Sequence, residues 1–140
     1  MALKVERVDT WVAKLEDKPG SLAAKFNALS KAGVNLGFVI ARRAPEKPGT
    51  GVVFLAPITG AKANRAARAA GFEKTKTLHT VRVEGKDKKG EGAKMTLALA
   101  QAGLNLRGLS GAGLGSKLVG YIAFDKAADA TKAMRILKSL

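Results

Sequence analysis

The chain repeats itself at an interval of seventy residues. When the first seventy residues are placed on the last seventy without a gap, seventeen positions are identical, about three times what chance would give for this composition. The turn Asp-Lys-x-Gly that ends at Gly20 recurs at Gly90, and the segment Ala-Gly-x-Asn-Leu that starts at Ala32 recurs at Ala102. The fold must therefore accommodate two copies of one unit. Any functional site is expected twice, or once at the seam between the copies.

The composition narrows the class of protein. The 140 residues include no cysteine, which excludes disulfides, thiolate metal sites and a thiol nucleophile. No apolar run reaches the length of a bilayer span, and the charged start from Met1 to Glu6 lacks the apolar stretch of a signal peptide. We therefore expect a cytoplasmic protein that makes no membrane contact. Its length suffices for one well-packed domain or for two small ones that share a core.

The chain is strongly basic, with a net charge of +14. Residues 1–70 carry twelve basic against five acidic side chains, and residues 71–140 carry thirteen against six, so each half has a charge of +7. An even distribution is typical of a solvated surface rather than of one crowded groove. Weak, nonspecific contact with polyanions is the binding that this charge predicts, and a role in solubility alone stays open.

The first copy has the pattern strand, helix, strand, strand, helix, strand. The predicted elements are a strand over Val8–Glu16, a helix from Gly20 to Gly33, strands over Val34–Ile40 and Thr50–Leu55, a helix over Gly60–Ala70 and a long extended stretch over Phe72–Val83. This order predicts an α+β fold built from ferredoxin-like βαββαβ units, each an antiparallel sheet with its helices on one face.

The second copy predicts the same order but stops early. Its expected elements are a helix near Glu91–Ala102, strands near Leu104–Leu109 and Leu118–Phe124, and a helix over Ala127–Leu137, with Phe124 in register with Phe54. The division is then 1–77 for the first unit and 78–140 for the second, which is truncated before its last strand. One hypothesis is that Leu3–Glu6 fills the missing sheet edge of the second unit.

Two segments resemble a known family. The turn Asp-Lys-Pro-Gly-Ser-Leu at 17–22 opens a helix that ends in Lys-Ala-Gly-Val-Asn-Leu at 31–36, and this combination resembles the ACT domain, a small-molecule-sensing βαββαβ module. The resemblance covers nearly the whole chain, as a stand-alone tandem pair. It implies a regulatory module without catalytic activity, an amino acid as ligand, and a target enzyme or regulator as partner. It also implies sheets joined side by side, as in a homodimer, with ligand held where the first turn of one unit faces the second strand of its neighbour.

The residues of the expected ligand site come from these signatures. The helix N-terminus after Gly20 has free N–H groups that favour a carboxylate, and glycine lets a ligand approach the backbone. Asp17 is suited to accept a hydrogen bond from a ligand ammonium, and Asn35 offers donors and an acceptor. The expected ligand-binding residues are Asp17, Lys18, Pro19, Gly20, Ser21, Leu22, Asn35, Leu36, Asp87, Gly90, Asn105 and Leu106. Purely structural roles stay open, with Asp17 capping the turn and Asn35 shaping the exit from the helix.

The two turns are not equivalent. Lys89 replaces Pro19, and Gly92 stands where Leu22 anchors the first helix. The second turn is more basic, and it departs from the family pattern. We therefore expect the first turn to bind ligand better.

Other signals do not predict catalysis or a cofactor. The glycine-rich run from Gly108 to Lys117 matches neither the dinucleotide fingerprint nor the P-loop, and it is expected to be a hairpin. His79 is the only histidine and has no second metal ligand near it in the sequence. No nucleophile has a visible base, so no catalytic residue, metal or cofactor is predicted.

The alternative function is RNA or single-stranded nucleic-acid binding, because the same βαββαβ order builds the RNA-recognition fold. That mode needs exposed aromatic side chains on the central strands, where bases stack. With one Trp, one Tyr, five Phe and no aromatic-rich strand, the sequence favours the amino-acid-binding module.

Overall fold

The computed structural model describes residues 3–140. Its elements are β1 (Lys4–Val8), β2 (Trp11–Glu16), α1 (Ser21–Lys31), β3 (Phe38–Arg43), β4 (Thr50–Ala56), α2 (Ala61–Ala69), β5 (Glu73–Lys74), β6 (His79–Lys86), α3 (Glu91–Gln101), β7 (Gly108–Leu114), β8 (Lys117–Phe124) and α4 (Ala127–Lys138). The strands form two four-stranded antiparallel sheets. The fold is the α+β architecture that the repeat predicted. None of the helices in residues 3–140 has the length and apolar composition needed to cross a membrane.

The first compact unit comprises Asp9–Thr75. Its sheet has the order β3-β4-β2-β5, and α1 and α2 pack together over it. Trp11, Val53 and Leu55 from the sheet are fully buried against Leu29 of α1 and Ala67 of α2. The unit therefore has a complete βαββαβ set of elements and a core of its own.

The second compact unit combines Lys76–Leu140 with the N-terminal segment that ends at Val8. Its sheet has the order β1-β6-β8-β7, so β1 takes the edge position that β5 has in the first sheet. Val5 pairs with Val83 and is buried in the core of this unit beside Leu137. This confirms the hypothesis that the N-terminal segment fills the sheet edge beside β6. The division into ACT units at 1–77 and 78–140 rests on the sequence repeat, and it stays a prediction.

Two predicted extended segments contain the expected strands, but each is interrupted and belongs to two elements. The run Val8–Glu16 is interrupted at Asp9 and Thr10, where the chain passes from β1 in one sheet to β2 in the other. The stretch Phe72–Val83 is divided in the same way into β5 and β6. Extended conformation is visible in a sequence pattern, but the choice of sheet is not, because it depends on pairing with distant segments.

The strands after α1 and α3 begin later than predicted, at Phe38 and Gly108 instead of Val34 and Leu104. Gly33 has φ 77°, and the N–H of Val34 donates to Leu29 O at 3.1 Å, which is the Schellman ending of a helix. The next residues carry the chain from the helix to the sheet, and Leu36 packs into the core. Apolar residues in this segment therefore mark burial rather than a strand.

The ungapped repeat does not hold through the second hairpin. Trp11 pairs with Leu55, whereas Val81 pairs with Ile122, so β8 lies three residues earlier than an interval of seventy requires. The cause is the hairpin: its loop is four residues shorter, 115–116 against 44–49, and β7 is one residue longer than β3. Gly115 has φ 62°, which suits the first central position of a two-residue type II′ turn.

The interval of seventy is restored in the last helix, because additional residues at the start of α4 make up for those that the shorter hairpin lacks. Ala63 and Ala67 of α2 are buried, and so are Ala133 and Leu137 of α4, which restores the interval of seventy. The match of Phe54 with Phe124 is therefore a coincidence of alignment and not a structural equivalence.

Candidate functional site

The first turn joins β2 to α1 and matches the geometry that the sequence predicted. The N–H of Asp17 donates to Gly49 O at 3.0 Å, which ties the turn to the β3–β4 hairpin loop. Gly20 has φ 90° and ψ −14°, a left-handed conformation that glycine adopts without a Cβ penalty. Nothing lies within 4 Å of the place where a Cβ on Gly20 would be. The backbone at this position is therefore open to a ligand.

The N-terminus of α1 has unused hydrogen-bond donors. The first helical bond runs from the N–H of Ala24 to Gly20 O at 2.9 Å, and no side chain caps the helix. Within residues 3–140, the N–H groups of Leu22 and Ala23 have no acceptor, and the first turn of α1 contains no acidic side chain. These donors and the positive end of the helix dipole favour an anionic group at this point.

Two ion pairs surround the turn. The Nε–H of Arg43, at the end of β3, donates to Asp17 Oδ2 at 2.9 Å. The Lys18 ammonium lies 2.8 Å from Glu16 Oε2, and this hydrogen bond lowers the pKa of Glu16 and raises that of Lys18. The first pair uses only one guanidinium N–H, so Arg43 keeps its other donors at the turn.

The second turn has the same backbone but different surroundings. The N–H of Asp87 donates to Ser116 O at 3.0 Å, and Gly90 has φ 83° at the start of α3. The first turn of this helix contains the carboxylate of Glu91, which opposes an anionic ligand. Gly113 stands at the position of Arg43, and a Cβ there would lie 2.8 Å from Asp87 Oδ2. Asp87 therefore has no counterpart of the Arg43 guanidinium.

The structure separates the expected site residues of each unit into two groups. Gly20 is at the N-terminus of α1, whereas Asn35 and Leu36 follow its C-terminus, and a helix of eleven residues is about 16 Å long. Asn105 and Leu106 have the same relation to α3. Within a unit, the turn and the asparagine therefore do not form one site.

Asn35 lies at a different cavity. It lines an open pocket of about 390 Å³, together with Pro57, Thr59, Gly60 and Lys62 at the start of α2. The leucines of the expected set have structural roles, since Leu22, Leu36 and Leu106 pack against the hydrophobic cores.

Sequence reasoning missed Arg43. The residue lies in a hairpin that the pattern analysis treated only as structure, and it is 26 positions from its partner Asp17. A signal was present in the sequence, because the repeat aligns Gly113 of the second copy with Arg43 of the first. Differences between the copies near the two turns would have identified it.

Known proteins match this chain in structure but not in sequence. No protein-family model matches the sequence, and no curated protein does. Among solved structures, protein BT0572 from Bacteroides thetaiotaomicron has a TM-score of 0.78 at 16% identity, over 94% of this chain and 88% of that one. The ligand-free regulatory subunit of aspartate kinase from Thermus thermophilus has a TM-score of 0.66 at 18% identity, over 99% of this chain and 96% of that one. The chain has the tandem ACT fold.

A longer protein contains the same fold as a part. The aspartate kinase of Clostridium acetobutylicum matches 98% of this chain at 12% identity with a TM-score of 0.60, but the match covers 34% of the kinase. The tandem ACT fold thus occurs both as a chain of this length and within a larger enzyme.

Proposed function

We propose that this protein is a regulatory module that binds a free amino acid at the turn Asp17–Leu22 and has no catalytic activity of its own. The observation that carries the proposal is the uncapped N-terminus of α1, where Gly20 leaves the backbone open and Asp17 lies at the start of the same turn. The similarity in fold to a regulatory subunit of aspartate kinase supports a regulatory role.

The chemistry of the turn suits an amino acid. A free amino acid presents a carboxylate and an ammonium a few ångströms apart. The N–H groups of Leu22 and Ala23 are donors for the carboxylate, and Asp17 is an acceptor for the ammonium. The ion pair with Arg43 engages Oδ2 of Asp17 and fixes the orientation of its carboxylate.

The first turn is the stronger site of the two. A ligand carboxylate at α3 would meet the negative charge of Glu91, and it would lack a guanidinium because Gly113 replaces Arg43. We propose Asp87 and Gly90 as a weaker or silent copy of the site. Asn35, Leu36, Asn105 and Leu106 stay part of the proposed set only if a neighbouring unit brings them to a turn.

The setting follows from the same proposal. A module of this kind acts in the cytoplasm on a target enzyme or regulator, as a homodimer or within a complex with that target. The similarity to a structure that contains aspartokinase α and β subunits, at 19% identity and a TM-score of 0.64, supports association with an enzyme. Within residues 3–140, no group of three or more His, Cys, Asp or Glu side chains could hold a metal ion.

The test is a thermal-shift screen of the twenty amino acids on protein that has been unfolded and refolded to remove bound ligand. At a concentration one hundred times its dissociation constant, a ligand adds about 2.7 kcal/mol of stability, which raises the melting temperature measurably. We expect at least one amino acid to do so at millimolar concentration. A flat response to all twenty would contradict amino-acid binding.

Matched variants locate the site. Asp17→Asn removes the charge that faces the ligand ammonium, and Asp87→Asn makes the same change in the second turn. We expect the first variant to abolish most of the shift and the second to retain it. Equal loss in both variants would contradict the assignment to the first turn, and unchanged binding in both would place the ligand elsewhere.

A further inference from the structure

We propose that α2 binds the phosphodiester backbone of a nucleic-acid duplex through Lys62, Arg65 and Arg68, which we name the α2 cationic row. This function is separate from amino-acid binding at the first turn. The net charge of +14 predicts contact with polyanions without saying where it occurs, and the proposal assigns that contact to one helix face.

The row consists of uncompensated positive charge. Its three side chains recur every third residue along α2 and are exposed. Neither α1 nor α2 contains an acidic residue, and within residues 3–140 no carboxylate forms an ion pair with a member of the row. Charges that lack internal partners are available to release counterions from phosphates.

The carboxylates of this unit all lie outside its helices, at Asp9, Glu16, Asp17, Glu46 and Glu73. Asp9, Glu16 and Asp17 form ion pairs with cations on strands and turns, namely Lys74, Lys18 and Arg43. The helical layer of the unit is thus a surface of one sign. Such a surface attracts a polyanion. Asp9 is the acid near Arg68, and it is paired with Lys74, which lies over the same Trp11 ring as Arg68.

One member of the row is held in place. The guanidinium of Arg68 lies 5.1 Å from the ring centroid of the buried Trp11, as in a cation–π contact. A cation–π contact restricts the guanidinium without using its N–H donors, which are therefore available to a phosphate. The remaining exposed residues of α2, Ala61 and Ala69, are small enough to let a phosphate backbone approach.

The surface suits a duplex better than a protein or a single strand. The exposed large hydrophobic residues of the described chain are Val39, Leu97, Leu109 and Leu114, and none of them is on α1 or α2. A protein partner would therefore find no apolar anchor. The aromatic residues of this unit that lie under the helices, Trp11 and Phe72, are buried, so unpaired bases could not stack on them.

The second unit contains a natural control. At the interval of seventy, the row corresponds to Lys132, Arg135 and Lys138 on α4. There, Asp129 lies one turn before Lys132, and the Lys132 ammonium donates to Ala102 O at 2.9 Å. The α4 positions have the same charge in the sequence but a weaker field, because an acid and a carbonyl oppose it.

The experiment compares the full chain with the variants Lys62→Gln/Arg65→Gln and Lys132→Gln/Arg135→Gln. Both remove two charges, and both leave Arg68 and its contact with Trp11 intact. Affinity is measured by fluorescence anisotropy for a labelled mixed-sequence DNA duplex and for an RNA duplex, between about 50 and 200 mM salt. Sodium polyglutamate and a single strand of the same sequence serve as the other probes.

We expect the unmodified protein to bind duplexes with a linear dependence of log K on log salt. The α2 variant should bind DNA roughly tenfold more weakly at the lowest salt, and its slope should be smaller by about 1.8, which is 0.9 for each of two lost phosphate contacts. The α4 variant should keep most of the affinity and the slope. Equal losses in both variants would overturn the proposal, because net charge alone would then explain binding. Preference for polyglutamate or for the single strand would also overturn it.

Discussion

At the residue scale, the most connected charges outside the turns lie on the strands of the second unit. Arg82 donates to Glu84 Oε1 at 2.9 Å and to the Tyr121 hydroxyl at 3.2 Å, and its Nη1 lies 3.6 Å from a carboxylate oxygen of Glu6. The Arg82 hydrogen bond, followed by the charge of Lys117, lowers the pKa of Glu84 below its ordinary value of 4.5. The guanidinium therefore joins two carboxylates, from β1 and β6, and a hydroxyl from β8.

The first residue-scale prediction concerns acid. Because the folded pKa of Glu84 is depressed, its contribution to stability is present above the ordinary value of 4.5 and is lost as pH falls toward the folded pKa. An NMR titration of the Glu84 carboxyl should give a midpoint below 4.5. Arg82→Gln should raise that midpoint and weaken the fall in stability between the two values. A midpoint unchanged by the substitution would contradict this account.

At the element scale, β1 shows how a five-residue strand completes a sheet. Lys4, Glu6 and Arg7 are charged and exposed, while Val5 is only 8% exposed and packs with the core of the second unit. Charged residues on an edge strand discourage pairing with other chains, and one buried valine fixes which face of the strand points inward.

We therefore expect Val5→Asp to destabilise the second unit, because it places an unpaired carboxylate in the core. The loss should be about 3 kcal/mol or more. Lys4→Gln, at an exposed position of the same strand, is the control for a change of charge and should alter stability by less than about 0.5 kcal/mol. Amide hydrogen exchange followed at β6 and β8 measures both. Similar effects of the two variants would show that β1 contributes no buried contact.

At the scale of the whole molecule, the chain order and the compact units do not coincide. The second unit starts with the N-terminal strand, is interrupted by Asp9–Thr75, and resumes at Lys76. The strand at one edge of its sheet, β1, is thus the first strand of the chain. A division of the chain into a first and a second half would assign β1 to the first copy, although β1 is an edge strand of the other sheet.

This organisation predicts the behaviour of two designed chains. Residues 76–140 alone lack β1, so β6 has an unpaired edge, and we expect this fragment to associate or to melt without cooperativity. A second chain consists of residues 76–140 followed, through a short glycine-rich linker, by residues 3–8. It restores the order βαββαβ. It should melt cooperatively, as measured by circular dichroism, and should run as a defined species in size-exclusion chromatography. Cooperative melting of the fragment at the same temperature would refute a stabilising role for β1.

The sequence by itself determined the features that arise within one segment. The repeat, the order of helices and strands, and the helix ends at Gly33 and Gly103 follow from apolar periodicity and from the left-handed conformation that glycine allows, with φ 77° at both positions. The open turn at Gly20 belongs to the same class, because its geometry is decided by neighbouring residues.

Only the tertiary structure decided what distant segments do together. The pairing of β1 with β6 joins residues more than seventy positions apart, and the shorter hairpin changes the register of β8 without breaking any local pattern. In the candidate site, the same limit separates Gly20, which was predictable, from Arg43, which reaches Asp17 through the β3–β4 hairpin. Local propensity decides which elements form, whereas sheet partners and side-chain contacts depend on burial and hydrogen bonding across the fold.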